Sequence, residues 1–266
     1  FVPANDEKKI RKSVTLGADS VIFDLEDAVP VQEKSNARKL LETLLQEIDL
    51  GKAEVCVRIN KFGSEYSPED IAFVLRQPKV NSIVLPKAEN MPEVILRCGK
   101  SIIPLVETPL GLLQIEDIVR SDSVDAVSYG PADLANFLGG KPESYAQNQY
   151  VKTKIVVAAS AYGVDAIDCV FFDLKDSESF RREAMQSRNL GYAGKQVVHP
   201  SQLLISNEVF SPSSEEIESA RKLIEIYEKF AKNKVGALRV DEKLVDAVHY
   251  RRAKSILETA DVLQKE

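Results

Sequence analysis

Eight short apolar, β-branched runs, polar residues gathered at their carboxyl ends and amphipathic stretches between them predict an α/β chain. The expected architecture is a (β/α)8 TIM barrel followed by a helical extension. The 266 residues, 44% of them hydrophobic, suffice for one substantial core.

The first run is the stub Phe1-Val2-Pro3. Residues 20–25 (SVIFDL), 54–59 (EVCVRI), Ser82–Leu85 (SIVL), 102–106 (IIPLV) and 125–129 (DAVSY) follow, and 166–172 (AIDCVFF) and 195–198 (KQVV) complete eight. Between them, residues 35–47 (SNARKLLETLLQE) and 150–162 (YVKTKIVVAASAY) place apolar side chains at helical spacing. Gly130-Pro131 and Gly139-Gly140-Lys141-Pro142 mark connections rather than a hinge. After Ser211-Pro212-Ser213, a strong helix start, come a charged amphipathic helix over 215–232, residues 236–240 and a helical stretch over 241–263. The expected division is a barrel over residues 1–210 and an extension over 211–266. The extension reads either as a solvated packing appendage or as a lid or subunit-swapped arm.

Composition narrows the function classes. With 41 acidic against 35 basic side chains the formal charge is -6, which gives no electrostatic reason for a nucleic-acid partner. Cys56, Cys98 and Cys169 stand singly, without the spacing of a zinc site or disulfide framework, and read as buried thiols of a reducing cytosol. No apolar run approaches the roughly 20 residues that cross a bilayer, and no signal segment is evident. A soluble, cytoplasmic chain without a membrane partner is the expectation. The start at Phe1, without an initiator methionine, leaves room for residues of a first strand or a leader ahead of it.

In a (β/α)8 barrel the reactive side chains come from the carboxyl ends of strands. Here those ends carry Asp24, Glu26 and Asp27, then Arg58 and Asn60, Lys87 and Glu89, Glu107, Asp133, Asp168 and Asp173, and His199. Glu107 and Asp133 follow adjacent strands and can converge on one hard, magnesium-type cation with positions left for water and substrate oxygens. The alternative is that each carboxylate serves the helix that follows it. With only two histidines, His199 and His249, and no Cys/His cluster, zinc is disfavoured. Arg58 offers a rigid fork for a substrate carboxylate, or for an ion pair with Asp24, Glu26 or Asp27. Lys87 invites a Schiff-base reading, although acids around it would keep it protonated. No P-loop, dinucleotide fingerprint or nucleophile elbow is present.

The series FVPAN (1–5), VIFDLEDA (21–28), VRIN (57–60), LPK (85–87), VETPLG (106–111) and GKQVVHPSQ (194–202) resembles the citrate lyase beta subunit-like (CitE-like) family. That family includes the stand-alone malyl-CoA and citramalyl-CoA lyases of the HpcH/HpaI aldolase superfamily. The resemblance runs in order over essentially the whole chain and implies a homotrimeric barrel with Mg2+ held by Glu107 and Asp133. It implies catalytic roles for Arg58, Glu107 and Asp246. Asp246 lies in EKLVDAVHYRRA (242–253), the counterpart of a C-terminal segment whose aspartate closes a neighbouring subunit's site. The implied substrate contacts are Arg58, Glu26, Asp27, Lys87, Ala132 and Asp133. Where relatives carry Gly-x-Glu-Asp, this chain has Gly130-Pro131-Ala132-Asp133, and Tyr150-Val151-Lys152 replaces Tyr-Ala-Arg.

The activity so implied is Mg2+-dependent carbon–carbon cleavage of a short 3-hydroxy-acyl-CoA to acetyl-CoA, or a homologue, and a 2-keto acid. Three alternatives stand beside it: a carrier-dependent citrate lyase beta subunit, a CoA-independent pyruvate aldolase and a malyl-CoA thioesterase.

Overall fold

The computed structural model describes residues 1–49, 51–231, 237–240 and 243–265. Two compact units divide the chain, Phe1–Asn207 and Glu208–Glu266.

The first unit holds eight parallel strands in sequential order: β1 (Val2–Pro3), β2 (Ser20–Asp24), β3 (Glu54–Arg58), β4 (Ser82–Leu85), β5 (Ser101–Val106), β6 (Ala126–Tyr129), β7 (Asp165–Asp168) and β8 (Gly194–Lys195). The sheet curls in a TIM-barrel-type order, and the backbone nitrogen of Phe1 donates to Val197 O at 2.8 Å, tying the first strand to the segment after the last. Strands packed on both faces must be apolar nearly throughout. Accordingly Cys56, Val84, Ile103 and Leu105 form a buried cluster, with Ile22 and Ala126 against it. On the other side of the sheet the helix Lys34–Glu47 buries Ala37, Leu41, Leu44 and Leu45 at helical spacing. The helix Gln149–Tyr162 starts where the Asn148 side chain accepts from Val151 N and stops at Gly163, whose φ of 70° a side chain would resist.

Two expected strands prove shorter. The run 166–172 leaves the sheet after Asp168, which is drawn into a buried ionic network, and so frees Val170 and Phe172 to face the barrel mouth. The run 195–198 ladders only at Gly194–Lys195. Register then decides which side chains become neighbours: Asp24 lies beside Arg58, Val106 beside Tyr129, and Asp168 beside Lys195.

In the second unit, the helix Ser214–Ala231 opens with a capping box: Ser213 Oγ accepts from Glu216 N (3.1 Å) and Glu216 Oε2 accepts from Ser213 N (2.8 Å). The expected helical stretch over 241–263 is corrected at its start. Lys243–Asp246 (β10) pairs antiparallel with Ala237–Val240 (β9), and the helix begins only at Ala247. The backbone pairing with β9 makes the segment a strand, and Asp246 caps the helix that follows, its Oδ1 accepting from Val248 N. Within the pair of helices Tyr227 and Tyr250 stack at 4.7 Å, and Tyr250 donates to Glu228 at 2.9 Å. Lys232, Gly236, Asp241 and Glu242, which fall within expected elements, lie outside the described residues. Among the described residues no helix is long and apolar enough to cross a membrane.

Candidate active site

The carboxyl ends of the strands surround a cleft whose two sides differ in chemistry. Asp24, Asp27, Arg58, Glu107 and Asp133 line one side, and Phe1, Val170, Phe172 and Val198 the other. The charged side comes from the ends of β2 to β6 and the segments after them, the apolar side from β1 and the segments after β7 and β8.

Asp24 ends β2 and bends the chain, its carboxylate accepting from Glu26 N (2.8 Å) and Ala28 N (3.1 Å). The β2–β3 register sets Arg58 alongside, and its fork donates to Asp24 from Nε (2.8 Å) and Nη2 (2.5 Å). The ion-pair alternative raised for Arg58 is therefore present. Its remaining Nη1 lies 3.2 Å from Glu26 Oε2, and Phe1 stacks 5.0 Å away. Burial pulls the Arg58 pKa down, but Asp24 and Glu26 hold it above its ordinary value.

Lys87 is the hub of the charged side. Its Nζ lies 2.8 Å from Glu26 Oε1, 3.6 Å from Asp27, 3.7 Å from Asp133 and 3.8 Å from Glu107. Burial opposes its charge, yet Glu26 and Glu107 more than offset that and raise its pKa. An ammonium held at 2.8 Å by Glu26 and ringed by three further carboxylates is stabilised in its charged form, which speaks against the Schiff-base reading.

Glu107 is buried at the end of β5. Burial, with Glu26 and Asp133 adding to it against Lys87, pushes its carboxyl up to about 8. It does not serve the helix after it: Thr108 does, accepting from Gly111 N, while Glu107 Oε1 accepts from Lys87 N at 2.8 Å. Behind it Gly130 presses so close that a Cβ there would overlap Glu107 Oε2 and stand 2.8 Å from Glu107 Cβ. Asp133 stands in the first turn of Pro131–Leu138, where an acid is favourable, and it and Ala132 both line the cleft. Burial raises the Glu26 pKa, and its Oε2 is buried without a hydrogen-bond partner.

The structure thus gathers Arg58, Glu26, Asp27, Lys87, Glu107, Ala132 and Asp133 at one mouth. Asp246 belongs to the second unit. Its Oδ1 accepts from Val248 N (2.9 Å) and lies 2.9 Å from His249 Nδ1, and this partnership lowers its pKa.

Three strand-end residues serve elsewhere. Asp173 caps a turn by accepting from Lys175 N, and His199 accepts from Ser201 N at the start of Pro200–Phe210. Asp168 is buried between Lys152 (2.9 Å) and Lys195 (2.5 Å), with Lys195 reaching Glu183 at 2.8 Å. Asp168, Cys169 and Glu183 bring metal-type ligand atoms within 4.8 Å of one another, but two ammonium groups already neutralise the carboxylates there. Sequence reasoning missed this network, and its one signal is a lysine at a buried position of each of two apolar elements, Lys152 and Lys195. It also missed the apolar wall, whose residues were assigned to strands.

Residues 1–97 and 99–200 match the family model described as HpcH/HpaI aldolase/citrate lyase. The chain is 31% identical over 290 residues to the mitochondrial citramalyl-CoA lyase of Homo sapiens, covering 100% of this chain and 85% of that protein. It is 33% identical over 271 residues to a (3S)-malyl-CoA thioesterase of Cereibacter sphaeroides (strain ATCC 17029 / ATH 2.4.9), covering 99% and 94%. Among solved structures it is similar to protein CitE from Mycobacterium tuberculosis in complex with magnesium, acetoacetate and coenzyme A. There the TM-score is 0.83 and the identity 28%, over 98% of this chain and 96% of that one.

Proposed function

The chain belongs to the HpcH/HpaI aldolase/citrate lyase family, and from that premise we propose that it is a Mg2+-dependent carbon–carbon lyase. Its substrate in this reading is a short 3-hydroxy-acyl-CoA, cleaved to acetyl-CoA or a homologue and a 2-keto acid. The observation that carries the proposal is the meeting of Glu107 and Asp133 across one protonated lysine at the mouth of the strands, with Arg58 beside them.

The donor set fits magnesium. Arg58 pairs with Asp24 and Lys87 with Glu26, which leaves Glu107 and Asp133 facing the same volume without a short ionic partner. Two hard oxygen donors, with the Glu107 proton given up as the cation binds, suit a small divalent ion that keeps waters or substrate oxygens in its other positions. Held by Glu107 and Asp133, magnesium would supply a Lewis acid to lower the substrate hydroxyl pKa.

The chain's own residues account for the rest. Arg58, fixed by Asp24, would share Nη1 between Glu26, 3.2 Å away, and the substrate carboxylate, orienting the substrate and offsetting its charge. As the hydroxyl gives its proton to a water in the cleft, its oxygen becomes the carbonyl of the keto acid, and the electron pair of the breaking carbon–carbon bond passes to the thioester enolate. That carbon takes up a proton, and Asp246, from a neighbouring copy of the chain, is the proposed residue for the exchange. In the condensation direction the same carboxylate removes it, and the His249 contact favours that charged form. A homotrimer, with the second unit acting as lid or arm, is part of the proposal.

Malyl-, β-methylmalyl-, citramalyl- and citryl-CoA, each with Mg2+ or EDTA and alongside Glu107→Ala, test it. Metal-dependent release of keto acid from one thioester, lost in the variant, is expected. Release of free CoA without keto acid would instead make the protein a thioesterase, as its similarity to the (3S)-malyl-CoA thioesterase allows. No turnover of any thioester by folded, metal-loaded protein would refute the stand-alone lyase.

A further inference from the structure

Among the described residues Lys87 is the only one besides glycines with a positive φ, 49°. The left-handed region is unfavourable for a side chain and persists where the surroundings hold it. Here it lets one residue make two connections. The Lys87 amide donates to Glu107 Oε1 at 2.8 Å, while the ammonium turns back to Glu26 Oε1, also at 2.8 Å. The other three carboxylates stand at 3.6 to 3.8 Å, beyond hydrogen-bond length.

Glu26 is the acid this arrangement withholds. It is buried, faces the same ammonium as Glu107 and Asp133, and its Oε2 accepts no hydrogen bond, having only the Arg58 guanidinium 3.2 Å away. Released from Lys87, such a carboxylate would be a strong ligand for a cation held by its neighbours. A third carboxylate would tighten metal binding and take a position the substrate needs, because magnesium is held near octahedral geometry.

We propose that Lys87 is a positioning residue that keeps Glu26 off the metal, so that a cation on Glu107 and Asp133 retains open positions for the keto acid. The inference rests on the magnesium reading above. Glu107 does not depend on the lysine side chain, since its bond is to the Lys87 amide, so removing the ammonium releases Glu26 Oε1, with Oε2 still beside Arg58 Nη1, and leaves the metal acids oriented.

Calorimetric titration of the full chain with Mg2+, and with pyruvate at saturating Mg2+, separates the possibilities. In Lys87→Met, Mg2+ binds about tenfold or more tighter and pyruvate about tenfold or more weaker, the scale on which partners of metal ligands act. Lys87→Arg, which keeps the charge, and the double variant Glu26→Gln/Lys87→Met, which removes the freed carboxylate, both stay within about threefold of the parent. Unchanged or weaker Mg2+ binding in Lys87→Met overturns the inference, as does a double variant that fails to restore pyruvate binding. If Lys87→Met does not fold without metal, Lys87→Gln melted across a Mg2+ series gives the same comparison. A parent protein that binds no Mg2+ refutes the metal reading and this inference together, whereas a parent that binds Mg2+ with Lys87→Met unchanged refutes the inference alone.

Discussion

Gly130→Ala puts the geometry of Glu107 to a direct test. Gly130 has φ −108° and ψ 99°, a region open to alanine, so backbone strain is not the obstacle. The obstacle is Glu107. The new Cβ would overlap Oε2 and stand 2.8 Å from Glu107 Cβ, where carbon atoms rest about 3.5–4.0 Å apart. Glu107 must therefore move by roughly 1 Å, and its bond to the Lys87 amide at 2.8 Å resists that retreat. Overpacking of this kind costs about 1–3 kcal/mol, and for a chain of this size about 2 kcal/mol lowers the melting temperature by about 4–8 °C. A shift of about 1 Å in a group that orients the reacting atoms costs about 10²-fold in rate. Thermal melts with and without Mg2+, together with keto-acid release, read both effects. The double variant Gly130→Ala/Glu107→Ala isolates the contact: with Glu107 cut back, alanine at 130 costs little, and the coupling is about 1–3 kcal/mol. Parental stability and Mg2+ response in Gly130→Ala, or additive single effects in the cycle, would refute the reasoning.

Three further outcomes are expected. Burial holds the folded Glu107 carboxyl at about 8 against an ordinary 4.5, so between those values the folded metal-free chain keeps a proton that the unfolded chain has released. Its contribution to stability is complete below pH 4.5 and is lost as pH rises through about 8, which melts in EDTA from pH 5 to 9 will show; a melting temperature that rises over this range contradicts it. Asp168→Asn leaves Lys152 and Lys195 buried beside a neutral amide and is expected to destabilise by about 3–5 kcal/mol in urea unfolding; a loss under about 1 kcal/mol would show the network to be dispensable. The apolar wall of Phe1, Val170, Phe172 and Val198 offers no cation to a second substrate carboxylate, so pyruvate should bind the Mg2+-loaded protein more tightly than oxaloacetate. Phe172→Arg should narrow or reverse that order, and equal binding of both acids by the parent would count against the wall's role.

Much of the site was legible because its residues stand at strand ends. Glu107, Asp133, Arg58, Asp24 and Glu26 each close an apolar run or follow one closely, and in a parallel barrel those ends face one mouth. Which cation takes which anion was not legible. Arg58 had three acids within reach, and only the pairing of Asp24 with Arg58 in the β2–β3 ladder gave Asp24 the two-pronged contact and left Glu26 the remaining nitrogen. The hairpin before Asp246 was hidden for a different reason, since four residues with two apolar side chains satisfy strand and helix periods equally.

The sequence by itself determined the eight βα periods, the outer helices and the polar strand ends, because each follows from local backbone geometry repeated along the chain. Only the tertiary structure decided that Lys87 serves Glu26, that Gly130 backs Glu107, that Lys152 and Lys195 share Asp168, and that the residues past β7 form an apolar wall. Those relations join residues distant in the chain, and their energies depend on separations of a few ångströms that strand register and sheet curvature set.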